Sequence, residues 1–251
     1  MNAKEMSTTV FFVVCLANAV VALAQGGLEE IVVTAQKRAE SAQDIGVAIA
    51  AFNSEAFATD GLNQPQDIAA QVPNLYIKNT SGSNAPVFTV RGVGVNDFVT
   101  NAPPSVGVYI DEVFQSNSGM MSTALFDMER VEVVKGPQGD LFGRNTNGGF
   151  VSFITRKPTS EFDAVATMEV GNYDSLRLEG AISGPLTPAL SARLAVLSRN
   201  QFEGWFTNLE TGKDHGRIQQ DGWRLALDWH PSERLTAYLN VHGGNDRSDN
   251  F

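Results

Sequence analysis

The C-terminal part of the chain alternates apolar and polar positions with a period of two, the mark of strands whose two faces meet different surroundings. In FDAVATMEVG, Phe162, Ala164, Ala166, Met168 and Val170 share one face, and Asp163, Thr167 and Glu169 share the other. LRLEGAISG opposes Leu176, Leu178 and Ile182 to Arg177, Glu179 and Ser183. LSARLAVLSR opposes Leu190, Ala192, Leu194 and Val196 to Ser191, Arg193 and Arg199. WRLALDW sets Trp223, Leu225, Leu227 and Trp229 against Arg224 and Asp228, and LTAYLNVHG sets Leu235, Ala237, Leu239 and Val241 against Thr236, Asn240 and His242. Strands of one design are therefore predicted in all five segments. The short connections GPLTP and HPSER alternate with the long polar stretch NQFEGWFTNLETGKDHGRIQQDG, as tight turns on one side of a membrane alternate with loops on the other. Trp223 and Trp229 at strand ends suit interfacial girdles or a soluble core. Periodicity alone leaves both a barrel and a soluble sandwich open.

Upstream of a seam at TRKPTSEFD, Thr155 to Asp163, the texture changes. Gly, Asn and Pro punctuate short strand-like runs and brief helical candidates such as NSEAFATDGL, where Asn53 or Ser54 is placed to cap the first turn. A small α+β domain is predicted here, with VEVVKG and FVSFIT as buried strands.

The apolar run from Val10 to Ala24 ends in Ala22-Leu23-Ala24, a small-x-small pattern that reads as a secretory signal cleaved after Ala24. It is shorter than the ~20 residues a spanning helix needs, and Asn18 interrupts it. The single cysteine, Cys15, lies inside this segment, so the mature chain is expected to hold no disulfide. The 251 residues carry a formal net charge of -10, which argues against nucleic acid as a partner. Gly139 to Arg144 lacks the Gly-Lys-Ser/Thr ending of a phosphate loop, and Gly92-Val93-Gly94 has Asp97 where a dinucleotide fingerprint needs its third Gly. No Gly-x-Ser-x-Gly or His-Glu-x-x-His pattern accompanies His215, His230 and His242, so a secreted hydrolase has no catalytic constellation to rest on, and no catalytic, metal or cofactor residues are assigned.

VFTVRGVGVND (Val87 to Asp97), SVGVYIDEVFQS (Ser105 to Ser116) and MERVEVVKGPQGDLFGRNTNGGFVSFITRKP (Met128 to Pro158) occur in that order. Together they closely resemble the plug domain of TonB-dependent outer-membrane receptors. The resemblance implies an α+β plug domain followed by antiparallel strands of an incomplete outer-membrane β-barrel. The implied layout is a signal peptide at 1–24, a periplasmic segment with the TonB box at 25–43, the plug at 44–158 and the first barrel strands at 159–251. Gly92, Gly136, Gly139, Gly143, Gly148 and Gly149 are the turn glycines this plug would need. Departures from the family pattern are Asp140 in place of a small residue, Phe142 in place of a common Tyr and Ser152 in place of a common Asn.

By the same resemblance, Glu30, Ile31, Val32, Val33, Thr34 and Ala35 form the TonB box, an extended peptide reaching into the periplasm that adds a strand to the TonB C-terminal domain. Arg91, Lys135 and Arg144 stand in runs otherwise suited to burial; the family reading pairs them with acids on the barrel wall, and pairs with Asp111, Glu129 or Glu132 are the alternative. The outward plug loops are expected at Lys78 to Pro86 and Asn96 to Pro104. Implied partners are outer-membrane lipids and a scarce solute, most often a ferric siderophore, with uptake energised through TonB. A free-standing periplasmic plug that binds TonB without transport is the alternative. Plugged transporters use ~22 strands, so five imply a truncated receptor or one completed by a second polypeptide, with an apolar face and an edge left open.

Overall fold

A computed structural model describes residues 31–34, 37–38, 40–62, 64–79, 86–95, 103–116, 121, 123 and 125–249. The signal segment, Glu30, Ala35 and most of the two expected outward plug loops lie outside the described residues.

Residues Val32–Val33 (β1) and Glu40–Ser41 (β2) pair antiparallel. The plug's main sheet contains Ala48–Asn53 (β3), Val106–Ile110 (β6), Val113–Phe114 (β7), Met128–Lys135 (β8) and Gly149–Thr155 (β9), in the order β3-β8-β9-β6-β7. Only β6 and β9 run parallel in it; the other neighbours are antiparallel. Leu75–Asn79 (β4) and Pro86–Val90 (β5) form a separate antiparallel pair. β6 is buried along its whole length and β9 nearly so, as expected of strands covered on both faces.

Two short helices cover one face. The first, Ser54–Asp60 (α1), starts where the Asn53 side chain accepts from the Ala56 N–H at 3.0 Å, so Asn53 rather than Ser54 is the cap. It stops at Gly61, whose φ of 64° is left-handed. The second, Pro65–Gln71 (α2), opens with proline in its first turn, where no amide donor is required, and the Gln64 N–H donates to Asp67 at 2.8 Å. Ile68 and Val72 of this flank join Leu75, Ile77, Phe88, Val131, Val133, Val151 and Phe153 in one apolar core. A single turn, Gly139–Phe142 (α3), links β8 to β9.

The remaining strands form a second sheet: Asp163–Gly171 (β10), Ser175–Thr187 (β11), Leu190–Gln201 (β12), Ile218–Ser232 (β15) and Leu235–Asp246 (β16). They pair antiparallel in sequence order, apart from a small hairpin, Phe206–Thr207 (β13) with Asp214–His215 (β14), inside the long loop. The sheet is open, with β10 and β16 at its edges.

Its burial runs opposite to that of a water-soluble sheet. On β12, Arg193 is 2% exposed, and Ala195 and Leu197 are also buried, whereas Leu194 and Val196 are 45% and 48% exposed. On β15, Arg224, between exposed Trp223 and Leu225, is 2% exposed, and Ala226 is buried as well. The face carrying the charges packs on the plug, and the face carrying the large aliphatic and indole groups looks outward. A soluble sandwich would bury that outward face.

Candidate functional site

Among the described residues, buried charged contacts gather in two regions, one at the plug–strand junction and one under the N-terminal strand.

At the junction the centre is Asp127, just before β8. Its backbone is left-handed, φ 53°, an arrangement an Asp tolerates better than most residues. The Arg193 guanidinium grips its carboxylate through Nε at 2.7 Å and Nη2 at 2.6 Å. Both side chains are almost fully buried, and the two parallel charge-assisted bonds fit the arginine fork. The Asp127 N–H donates to Glu179 of β11 at 2.7 Å, and the Asp127 carbonyl accepts from the Arg156 N–H at 3.1 Å. Arg193 also reaches Asp163 at 3.0 Å, and Glu179 is paired with Arg177 at 2.7 Å.

Neighbouring contacts extend this junction. Arg224 donates to the Phe126 carbonyl at 2.9 Å while its guanidinium lies 4.5 Å from the centre of the Phe126 ring. Asp111 accepts from the Thr155 N–H at 2.8 Å and from Asn240 of β16 at 2.8 Å. The Thr159 N–H donates to Ser183 of β11 at 2.9 Å. The α1–α2 flank instead faces β10 and β11 across a cavity of about 190 Å³ lined by Phe57, Ile68, Phe126, Arg177 and Glu179 among others.

The ion pair between plug and strands has the opposite polarity to the pairs the resemblance implies: a strand supplies Arg193 and the plug supplies Asp127. Arg91 is exposed in a turn at φ 50°, Lys135 is half-buried at the end of β8, and Arg144 is exposed. None of these three makes an ion pair among the described residues. The acids proposed as their alternative partners are engaged elsewhere: Glu129 and Glu132 pair with Arg130, and Asp111 bonds Thr155 and Asn240. Sequence reasoning missed Asp127 and Arg193. The one available signal was an arginine on the polar face of a strand whose other face is apolar.

Of the turn glycines, Gly92, Gly136, Gly143 and Gly149 have positive φ. The need is sharpest at Gly149: φ is 127°, and a Cβ there would overlap the Val134 carbonyl on the neighbouring strand. Gly148 is instead wedged between Val93 and Val106, and Gly139 opens α3 with free space around it.

Under the N-terminal strand, Val33 is fully buried, and Val32 and Val33 pair with Ser41 and Glu40. The Thr34 N–H donates to Glu132 Oε1 at 2.9 Å, and the Thr34 hydroxyl lies 3.2 Å from the same oxygen. Arg130 Nε also donates to Glu132 Oε1 at 2.8 Å, and its Nη2 donates to the Thr34 hydroxyl at 3.3 Å. The segment read from sequence as reaching away from the plug is therefore seated on it at Val32–Thr34. Tyr109, on the same face of the sheet, donates its hydroxyl to the Phe142 carbonyl at 2.9 Å, and burial pushes its phenol pKa up.

A mixed sheet closed over by two short helices and tied through buried charges to strands whose apolar side faces outward defines a plug seated against membrane-type strands. Residues 41–150 match the model of the TonB-dependent Receptor Plug Domain. The chain carries such a plug domain, and homology to TonB-dependent receptors extends over about four fifths of it. The pesticin receptor of Yersinia pestis is 30% identical over 210 residues, 81% of this chain and 31% of that protein. The ferripyoverdine receptor of Pseudomonas aeruginosa is 28% identical over 194 residues, 76% of this chain and 22% of that protein. Among solved structures, the ferric yersiniabactin uptake receptor FyuA from Yersinia pestis superposes with a TM-score of 0.72 at 24% identity, covering 81% of this chain and 32% of that one. The chain thus spans less than a third of the length of the curated relatives cited here.

Proposed function

We propose that this chain serves energy-coupled uptake of a scarce solute across an outer membrane, with a ferric siderophore as the solute class. The observation that carries the reading is the inverted sheet. Exposed Leu194, Val196, Trp223 and Leu225 beside buried Arg193 and Arg224 make sense where lipid covers one face and the plug the other. The lengths agree: β11, β12, β15 and β16 run 13, 12, 15 and 12 residues, above the ~9–11 a tilted spanning strand needs. Trp223 and Trp229 project on one face six residues apart, roughly 20 Å along a strand, close to the height of an apolar band between aromatic girdles. A free-standing periplasmic protein would leave this face in water, which disfavours that alternative. The solute class follows the relatives, among them a ferripyoverdine receptor and a ferric yersiniabactin uptake receptor.

In this reading the strand around Val32–Thr34 is the handle that the TonB C-terminal domain takes by strand addition, and the plug then shifts from the wall. The handle's backbone supplies the grip. No covalent chemistry is required: binding, release and mechanical work suffice. The test is a titration of the purified full chain, in detergent micelles, with the TonB C-terminal domain. Binding should survive Val33→Ala and be lost in Val33→Pro, because proline removes an amide donor and fixes φ. Equal binding by the two variants, or no binding where a known receptor peptide binds, overturns the docking role.

A further inference from the structure

The second oxygen of Glu132 has no part in the docking role. Glu132 is fully buried in the middle of β8, and its Oε1 collects the bonds from Thr34 and Arg130, while Oε2 has no hydrogen-bond partner among the described residues. A cavity of about 80 Å³ adjoins it, lined by Thr34, Lys37, Tyr109, Glu112, Glu132 and Ser152 among others. Ser152 stands directly opposite Glu132 in the β8–β9 register, so the two side chains share a face. The serine is too short to fill the space between them, and the cavity exceeds what one water requires.

We propose that Glu132 is the residue that positions the handle: its Oε1 pins Thr34 to β8, and the strength of that pin sets how readily a partner strand takes Val32–Thr34. The proposal rests on the docking role given above. An incoming strand needs the amides of this segment, and the Thr34 amide is already committed to Glu132, so the partner must first displace it. The apparent affinity of such a partner falls by the fraction of time the segment is seated. Arg130 holds the same carboxylate oxygen and also donates to the Thr34 hydroxyl, while Oε2, beside the cavity that Ser152 lines, adds nothing to that hold.

Two substitutions push in opposite directions. Glu132→Gln keeps the shape and removes the charge that strengthens the bonds to Thr34 and Arg130. Ser152→Asn places an amide donor where Oε2 lacks one and fills part of the cavity. Amide hydrogen exchange of the full chain in detergent micelles reads the seating of Thr34 directly, and titration with the TonB C-terminal domain reads its consequence. Glu132→Gln should speed exchange at Thr34 by about tenfold and tighten binding by a similar factor, and Ser152→Asn should slow exchange and weaken binding several-fold. Unchanged Thr34 exchange in both variants, or shifts of the same sign, overturns the clamp. If Glu132→Gln loses the plug's near-ultraviolet signature, the Ser152→Asn arm decides alone. Exchange shifts as stated with no binding by any variant would sustain the clamp and overturn the docking role instead.

Discussion

The two five-stranded sheets of this molecule are built from similar residues and bury them in opposite ways. In the plug, Val131, Val133, Val151 and Phe153 turn inward to one apolar core, and that core accounts for the domain's cohesion. In the second sheet, Leu194, Val196, Trp223 and Leu225 turn outward, while Arg193, Arg224 and Gln220 are buried. The plug is held together by the removal of apolar surface from water. Its attachment to the strands is held by buried polar pairing, centred on Asp127 and Arg193. Such a junction can be strong while matched and costly once either partner is lost, because a charge left alone in a dry interior has nothing to offset its lost hydration. Beside that pairing the seam also holds a small apolar cluster, Phe126 of the plug with Ala181, Ala195 and Leu197 of the strands.

The sharpest way to break this contrast is to remove one side of the buried pair. Arg193→Met should lower the stability of the plug–strand junction by about 3–5 kcal/mol, read as a fall in the urea midpoint of the full chain in micelles. A loss no greater than that of an exposed arginine would mean the pair carries little. Next in size is Leu194→Lys on the outward face. It should weaken transfer of the chain into lipid vesicles by about 2–4 kcal/mol near the bilayer midplane and leave the urea midpoint in micelles nearly unchanged. The reverse outcome would mark that face as a protein core.

Within the plug, Gly149→Ala should cost roughly 1–3 kcal/mol, since φ 127° and the Val134 carbonyl both oppose a side chain there. Thermal unfolding of the plug measures it. The smallest effect is expected at Arg91: charge reversal to Glu in this chain should shift stability by no more than about 0.5 kcal/mol, as for an exposed residue with no ion pair among the described residues. A larger drop would restore Arg91 as a lock between plug and wall.

Much of the fold was legible in the chain. The five alternating segments became five paired strands, VEVVKG and FVSFIT became neighbouring buried strands, and the Asn53 or Ser54 choice narrowed to Asn53 once a carboxamide oxygen met the Ala56 amide. Less of the functional region was legible. The strand-prone run was legible at Val32–Val33, but the seat of Thr34 on Glu132 joins residues 98 positions apart, and the Asp127–Arg193 pair spans 66. No local pattern encodes partners at that distance.

What the sequence determined by itself was therefore periodic and local: which positions share a face and where turns fall. Tertiary structure decided which of the two faces is covered, that Arg193 of the strands meets Asp127 of the plug, and that Thr34 is seated on Glu132. The physical reason is that alternation records only a difference between two faces. Which face is dry depends on what packs against it, and that is fixed when the plug takes the polar side.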